Sequence, residues 1–321
     1  MTKRIAAILG AACFAAGPFS PAHGQGYPTK PVHIIVSFAP GGPVDTVARI
    51  VGQRLTEILG QPAIVENRPS STGNLGTQVV AKSQPDGYTL LATSSAFAVN
   101  VTLSPNAGYE PGDFAPIVQA ATQPNVIVVN STFPAKTLAE LLEMAKTMKL
   151  AYASPGTGTT PHLTGEHIFK LVAKLDVTHI PHKGAGPAAA AVVAGEPPIG
   201  SLAVTAPLPF LKSGRLRALA ISSAARSPQL PDVPTFVELG YPEIQEYTWV
   251  GFFAPKGTPP EIVQKLNDAI NRALQMPDVR EKLEALTLEP VGGTPQQFSD
   301  YVRSEVVKWG VVVKQTGARV D

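Results

Sequence analysis

The chain alternates short apolar runs with amphipathic segments, and glycine or proline separates most of them. The clearest unit begins with the apolar run 32–38, which Pro31 and Pro40 bound, and such a run is typical of a buried parallel strand. Gly41–Gly42–Pro43 follows, and apolar residues then recur at helical spacing until Gly60. This pattern predicts a strand, a glycine-rich turn and a helix.

The same unit recurs along the chain without a fixed repeat length. Further strands are predicted at 63–65, 88–93, 125–130, 150–154, 178–181, 199–204, 216–221 and 249–255, and further helices at 73–82, 137–148, 161–172, 259–275 and 294–313. Strands that alternate with helices predict an α/β fold whose parallel or mixed sheets are covered on both faces. A length of 321 residues is enough for two domains with separate cores.

A second glycine-rich turn, 155–160, follows the predicted strand 150–154 and precedes Pro161. Pro43 and Pro161 both suit the first turn of a helix, where the missing N–H costs nothing. The start of a helix carries unpaired N–H groups and about half a positive charge, and neighbouring glycines let a small anion approach the backbone. Each turn alone also fits an ordinary strand-to-helix connection. Together they predict two anion-binding positions at the strand ends, facing each other across a cleft.

Asp45 and His182 each admit two interpretations. Asp45 either receives a ligand's ammonium, hydroxyl or protonated or water-bridged carboxylate, or complements the dipole of the helix and reaches back to cap it. His182 either lines a cleft or belongs to a solvated loop. The sequence alone leaves both choices open.

Several kinds of chemistry find no support in the residues. Neither turn has the Gly-Lys-Ser/Thr ending of a nucleotide loop, and Pro161 stands where a dinucleotide fingerprint needs its third glycine. The chain has no G-x-S-x-G elbow and no serine followed three residues later by lysine. The six histidines give no three-ligand set with sensible spacing. We therefore expect no catalytic residue, no metal and no cofactor.

The first 24 residues have the three-part layout of a secretory signal. A basic start, 1–4, precedes the apolar run 5–16, and the small residues of 22–24 suit a cleavage site after Gly24. A buried first helix is the alternative. Removal of this segment would also remove Cys13, the only thiol, and would leave 24 basic against 24 acidic side chains. A neutral chain without basic runs predicts no nucleic-acid partner.

In its motifs the chain strongly resembles the Bug family, the substrate-binding receptors of tripartite tricarboxylate transporters. The matching segments follow in order over essentially the whole chain after the signal: Tyr27–Pro31, Phe38–Gly42 with Asp45, Ala48 and Arg49, Glu66–Pro69, Gly73–Asn74, Pro85–Leu90, the turn Ser154–His162, Gly214–Ala220 and Phe253–Pro259.

The resemblance implies a two-lobed periplasmic binding protein with a ligand cleft between the lobes. Lobe 1 is then expected at 25–124 plus 247–321 and lobe 2 at 125–246, after a signal peptide at 1–24. It also implies a monomer in the periplasm, not an enzyme, whose partners are a small carboxylate and integral-membrane transporter subunits. A ligand sensor for a membrane signalling protein is the alternative, and a periplasmic hydrolase or lyase has less support.

The family resemblance also implies which residues meet the ligand. One carboxylate is expected between the loops Phe38–Asp45 and Ser154–His162, held by the N–H groups of Gly41–Gly42 and Gly156–Gly158. His182 and Ser201 depart from the common family pattern where the far end of the ligand is expected. A dicarboxylate, including an aromatic one such as terephthalate, a simple aliphatic carboxylate and an amino acid all stay open. The expected contacts are Phe38, Ala39, Pro40, Gly41, Gly42, Asp45, Thr93, Ser94, Ser154, Gly156, Thr157, Gly158, Thr159, His162, His182 and Ser201.

Overall fold

The computed structural model describes residues 26–317, so the expected signal segment 1–24 and Cys13 lie outside the described residues. The strands are β1 Val32–Val36, β2 Ala63–Asn67, β3 Thr89–Ser94, β4 Phe114–Asn130, β5 Leu150–Ser154, β6 Val177–Pro181, β7 Ile199–Ala203, β8 Leu216–Ile221, β9 Tyr247–Pro255 and β10 Glu289–Gly292. The helices are α1 Pro43–Leu59, α2 Asn74–Ala81, α3 Ala96–Leu103, α4 Leu138–Met144, α5 Thr160–Glu166, α6 Ala185–Ala194, α7 Leu208–Lys212, α8 Pro260–Gln275, α9 Pro277–Glu284 and α10 Pro295–Thr316.

The strands form a mixed sheet in two halves that share β4. In the first half β2, β1 and β3 are parallel, and β9, β4 and β10 continue the sheet with antiparallel pairing. In the second half the end of β4 pairs antiparallel with β7 and β8, and β7, β5 and β6 are parallel. The alternation of strands and helices predicted this mixed α/β architecture, which is confirmed.

The start of α1 follows the sequence prediction closely. Gly42 is the extended N-cap residue, Pro43 opens the helix, and Gly60 ends it in the left-handed conformation at φ 70°. Val47, Val51 and Leu55 lie on the buried face of the helix and belong to the core that also contains Ile34 of β1. Burial of this apolar stripe fixes the helix against the sheet, so its N-terminus lies at the end of β1.

Several elements differ from the sequence prediction, and α9 and β10 were not predicted at all. The strand predicted at 125–130 is the end of the much longer β4, whose earlier part contains Pro116 and register shifts that hide the alternating pattern. The helix predicted at 161–172 changes after Glu166 into a π-helical segment, His167–Val172. α3 was not predicted because Ala96 to Asn100 are all buried and leave no amphipathic stripe.

Within residues 26–317 no helix combines the length and the apolar character that crossing a bilayer requires.

A buried carboxylate holds α10 against β9. Glu305 is 5% exposed, and its Oε2 accepts hydrogen bonds from Nε1 of Trp249 at 3.0 Å and of Trp309 at 2.7 Å. Both indoles are fully buried. One carboxylate oxygen therefore satisfies two donors that no water reaches.

We predict that Glu305→Leu lowers the free energy of unfolding by roughly 2–4 kcal/mol, because two buried N–H groups lose their acceptor. Urea unfolding followed by tryptophan fluorescence measures this change. Glu305→Gln keeps a carbonyl oxygen and is the matched control, which should recover most of the loss. Equal midpoints for the leucine variant and the unmodified protein would contradict the role of this carboxylate.

Candidate ligand-binding site

A narrow cavity, in which the centre of a water molecule can occupy about 20 Å³, lies between the loops that follow β1 and β5. Its walls are mainly apolar, its polar side chains are those of Asp45, Ser94, Thr159 and Thr248, and no lysine, arginine or histidine is among its lining residues. The lining residues are Phe38, Ala39, Gly42, Pro43, Val44, Asp45, Ser94, Pro155, Thr159, Pro161, Ala185, Ala203 and Thr248.

The start of α1 forms one wall of this cavity. Gly42, Val44 and Asp45 all line it, and they are the N-cap residue and two residues of the first turn. Amides at these positions have no carbonyl partner four residues back in the helix, and the helix dipole places partial positive charge there. The wall therefore offers the donors and the charge that a small anion needs.

The Asp45 carboxylate is occupied by hydrogen bonds from the protein. Oδ1 accepts from Arg49 Nε and from Asn67 Nδ2, both at 3.0 Å, and Oδ2 accepts from the Gly41 amide at 3.2 Å. Burial pushes its pKa up, but these hydrogen bonds and the Arg49 charge together hold the pKa of Asp45 below its ordinary value. Of the two interpretations of Asp45, these contacts favour the structural one, in which the carboxylate complements the helix dipole and reaches back, here to the Gly41 amide of the loop before α1.

The glycine amides of the second loop are also used within the protein. The Gly156 amide donates to Ser154 Oγ at 3.1 Å, and the Gly158 amide donates to His162 Nδ1 at 3.2 Å. The Gly41 amide likewise donates to Asp45. All three amides thus donate to acceptors within the protein, and the expectation that they hold the anion stays a prediction, which would require them to exchange these partners for the ligand.

The glycines of the second loop instead allow a close approach between distant segments. A Cβ on Gly156 would lie 1.8 Å from the Ser71 carbonyl oxygen, and a Cβ on Gly158 would lie 2.2 Å from Asn100 Oδ1. Gly158 also has φ +81°, which favours glycine. These positions need glycine because the loop packs against backbone and a short side chain.

A matching contact lies at the first loop. The Ala39 amide donates to the Lys183 carbonyl at 2.8 Å, and a Cβ on Gly186 would lie 2.3 Å from the Pro40 carbonyl oxygen. The start of α6 is thus pressed against the loop that follows β1. Close contacts between small residues therefore join both loops to the segments packed against them.

The polar side chains of Ser154, His162 and His179 hold the second loop in position through hydrogen bonds and ring stacking. Ser154 Oγ lies 2.6 Å from His179 Nε2, and the rings of His162 and His179 stack with centroids 4.0 Å apart. Burial lowers the pKa of His162 to about 3, with help from the Lys170 charge. Burial and the His162 charge lower the pKa of His179 to about 3 as well. Both rings are neutral at neutral pH, which leaves His162 Nδ1 free to accept the Gly158 hydrogen.

The sequence missed the Ser154–His179 pair because 25 residues separate its members. β5 and β6 are parallel neighbours, and this pairing brings the two side chains together. Ser154 is fully buried and is not among the lining residues of the cavity. The Ser154 hydroxyl accepts a hydrogen bond from the Gly156 amide, so the Ser154–His179 pair positions the loop.

The structure places neither His182 nor Ser201 among the lining residues. The His182 amide donates to the Ser154 carbonyl, and Ser201 Oγ donates to the Pro161 carbonyl at 2.5 Å. Ala185 and Ala203 line the cavity in this region. The expectation that His182 and Ser201 form the far end of the site is therefore not met by this geometry.

Six of the sixteen residues expected at the site line the cavity: Phe38, Ala39, Gly42, Asp45, Ser94 and Thr159. The other ten are not among the lining residues: Pro40, Gly41, Thr93, Ser154, Gly156, Thr157, Gly158, His162, His182 and Ser201. Sequence reasoning missed Pro43, Val44, Pro155, Pro161, Ala185, Ala203 and Thr248. The first four adjoin expected residues and could have been found from that position. Ala185, Ala203 and Thr248 carry no local signal, since only the tertiary fold brings them to the cavity.

Comparison with known proteins gives one consistent result. Residues 47–318 match the family model of the tripartite tricarboxylate transporter family receptor. The protein BugT of Bordetella pertussis is 38% identical over 322 residues, which are 99% of this chain and 98% of BugT. The chain belongs to the tripartite tricarboxylate transporter receptor family.

Solved structures of similar proteins agree with this assignment. The periplasmic binding protein BugD superposes with a TM-score of 0.88 at 33% identity, over 91% of this chain and 99% of BugD. An R. palustris protein with adipate superposes with a TM-score of 0.88 at 33% identity, over 92% of this chain and 100% of that protein. MatC from Rhodopseudomonas palustris with bound malate superposes with a TM-score of 0.85 at 34% identity, over 89% of this chain and 100% of MatC.

This receptor therefore has the two-lobed periplasmic-binding-protein fold that the sequence resemblance implied. Its family consists of substrate-binding receptors rather than enzymes. Within residues 26–317 no three histidine, cysteine, aspartate or glutamate side chains gather where they could hold a metal ion.

The Asp45 contacts give a pH-dependent prediction. Asp45→Asn should destabilise the receptor by about 1–3 kcal/mol at pH 7, because a charged acceptor of several hydrogen bonds is lost. A carboxylate whose pKa is lower in the folded than in the unfolded state stabilises the fold above about pH 4. That stabilisation disappears as the pH falls through the folded-state pKa. The difference between variant and unmodified protein should therefore shrink in acid.

Chemical denaturation at a series of pH values measures this difference, and Asp268→Asn, at an exposed position of α8, is the control. A difference that stays constant down to pH 2 would show that the Asp45 charge does not contribute.

Proposed function

We propose that this receptor captures a small dicarboxylate in the periplasm and delivers it to the integral-membrane subunits of a tripartite tricarboxylate transporter. The observation that carries the proposal is the narrow cavity at the start of α1. There the first-turn residues Val44 and Asp45 face a space with mainly apolar walls. A carboxylate in this position would gain hydrogen bonds from amides and the favourable end of the helix dipole.

The charge balance of the cavity supports an anion. Asp45 is the one charged residue in the lining, and Arg49 lies 2.9 Å from its Oδ1. Because the ion pair cancels the Asp45 charge, the carboxylate of a ligand does not meet an uncompensated negative charge. The amides of α1 then supply the remaining attraction without a basic side chain.

The related structures support a dicarboxylate in particular. Adipate and malate, bound by two similar receptors, both carry two carboxylates. The apolar walls formed by Phe38, Pro155, Pro161 and Ala203 suit a hydrocarbon body between two charged ends, including an aromatic one such as terephthalate. We therefore place dicarboxylates ahead of simple aliphatic carboxylates and amino acids.

Capture would proceed by closure of two lobes. We propose lobe 1 at 25–124 plus 247–321 and lobe 2 at 125–246, since β4 and β9 lie at the crossings between them. The Pro40–Gly186 and Ser71–Gly156 contacts join the proposed lobes on the two sides of the cavity. Ligand that contacts both lobes would favour this closed arrangement.

The remaining parts of the proposal concern location and alternatives. Export with removal of residues 1–24 fits the periplasmic family, and we propose a monomer. A ligand sensor would use the same cavity and would differ only in its membrane partner. A hydrolase or lyase has less support, because Ser154 is fully buried, its partner His179 is half-buried, and neither is among the lining residues of the cavity.

A thermal-shift panel tests the ligand class. Adipate, malate and terephthalate are compared with adipamide, hexanediol, sugars and amines. A dicarboxylate at one hundred times its Kd should stabilise the protein by about 2.7 kcal/mol and raise the Tm. Adipamide should give no shift, because it lacks the charge that the α1 dipole attracts. The proposal fails if sugars or amines raise the Tm and no carboxylate does.

Gly186→Ala tests closure. The new Cβ would meet the Pro40 carbonyl in the closed state, while alanine in α6 gives a more favourable helix than glycine. We expect at least a tenfold weaker affinity in calorimetry, with no loss of Tm for the ligand-free protein. Gly112→Ala is the matched control, since nothing lies within 4 Å of its Cβ position. Unchanged affinity in the Gly186 variant would show that binding does not require this contact.

A further inference from the structure

One buried side chain near the cavity has an unused hydrogen-bond donor. Gln123 of β4 is 1% exposed, and its Oε1 accepts from the Thr205 amide at 2.9 Å and from Thr205 Oγ1 at 2.7 Å. A backbone amide can only donate, so the Gln123 side-chain oxygen must face Thr205. Its Nε2 then has no hydrogen-bond partner among the described residues.

A buried donor such as Gln123 Nε2 lowers the stability of the fold unless it finds a hydrogen-bond acceptor. A buried polar atom without a partner costs about 1–3 kcal/mol, and native proteins pair nearly all of them. Three side-chain atoms in residues 26–317 are in this position, and Gln123 Nε2 is the only nitrogen among them. A nitrogen that carries two hydrogens calls for an acceptor.

The sheet register places Gln123 on the face that lines the cavity. Gln123 pairs directly with Thr248 across β4 and β9, and Asn125 pairs with Ala203 across β4 and β7. Directly opposed residues of antiparallel strands share a face, as do alternate residues of one strand. These four residues therefore stand on one face, where Thr248 and Ala203 contact the cavity, while Gln123 itself is not among the lining residues.

We propose that Gln123 is a specificity residue of the binding site, whose Nε2 donates, directly or through one ordered water, to a second acceptor group of the bound carboxylate. The inference rests on the proposed function and deepens it. The α1 amides hold one carboxylate, and the neutral amide of Gln123 recognises the oxygen atoms at the other end of the ligand. The receptor then prefers dicarboxylates to monocarboxylates with the same hydrocarbon body.

Calorimetry with two matched ligand pairs tests this inference. Adipate is compared with hexanoate, and terephthalate with benzoate, on the full protein. In Gln123→Glu the carboxylate can still accept the hydrogen bonds from Thr205. The substitution replaces the Nε2 donor with a negatively charged acceptor. We expect the affinity for adipate or terephthalate to fall at least tenfold and the affinity for the matching monocarboxylate to change less than twofold.

Two further variants separate recognition from structure. Gln123→Met has a similar length and no donor, and it should also lose the preference for the dicarboxylate. Thr205→Val removes one hydrogen bond to Gln123 Oε1 and leaves Nε2 in place, so it should keep the preference. Melting temperatures confirm that each variant folds.

The outcomes distinguish the inference from the proposed function. If the unmodified protein binds no carboxylate, the proposed function fails. If it binds carboxylates but does not prefer the dicarboxylates, or if both Gln123 variants keep its preference, the specificity role of Gln123 is overturned and the proposed function stands. An equal loss of affinity for a dicarboxylate and its matching monocarboxylate in the Gln123 variants would also overturn the specificity role.

Discussion

The pairing of β4 with β9 is the constraint on which the rest of the structure depends. β4 runs without a break from Phe114 to Asn130, so its first part belongs to one half of the sheet and its last part to the other. Everything around the cavity is positioned relative to this strand pair. Thr248 and Ala203 reach the cavity because they pair with residues of β4, and the glycine-rich loops close over them from either side.

The two glycine-rich loops look alike in sequence but contribute different things. At the first loop, α1 presents first-turn amides to the cavity, while Asp45 and Arg49 hold the loop in shape. At the second loop, the Gly156 and Gly158 amides are already bonded, and the missing side chains matter because they let the loop approach other backbone. Glycine thus serves anion access in one place and close packing in the other.

The sequence predicts much of the fold, because apolar periodicity and glycine stops mark elements such as α1 and β5 directly. It does not mark β4 before residue 125, where Pro116 and register shifts interrupt the pattern. For the site, local signals find Phe38, Ala39, Gly42 and Asp45, since these residues adjoin a visible strand-to-helix turn. They cannot find Thr248 or Gln123, whose positions follow from strand register between distant segments, nor can they show that a glycine amide already has an acceptor.

The stacked pair of His162 and His179 makes the stability of the protein sensitive to acid. Because folding holds the pKa of both rings near 3, the unfolded chain binds two more protons than the folded one at about pH 5. Each ring therefore removes about 1.4 kcal/mol of stability for every pH unit below about 6.5. Between about pH 6.5 and 3 this pair therefore favours the unfolded chain, while the hydrogen bond from the Gly158 amide to His162 stays in place in the folded protein.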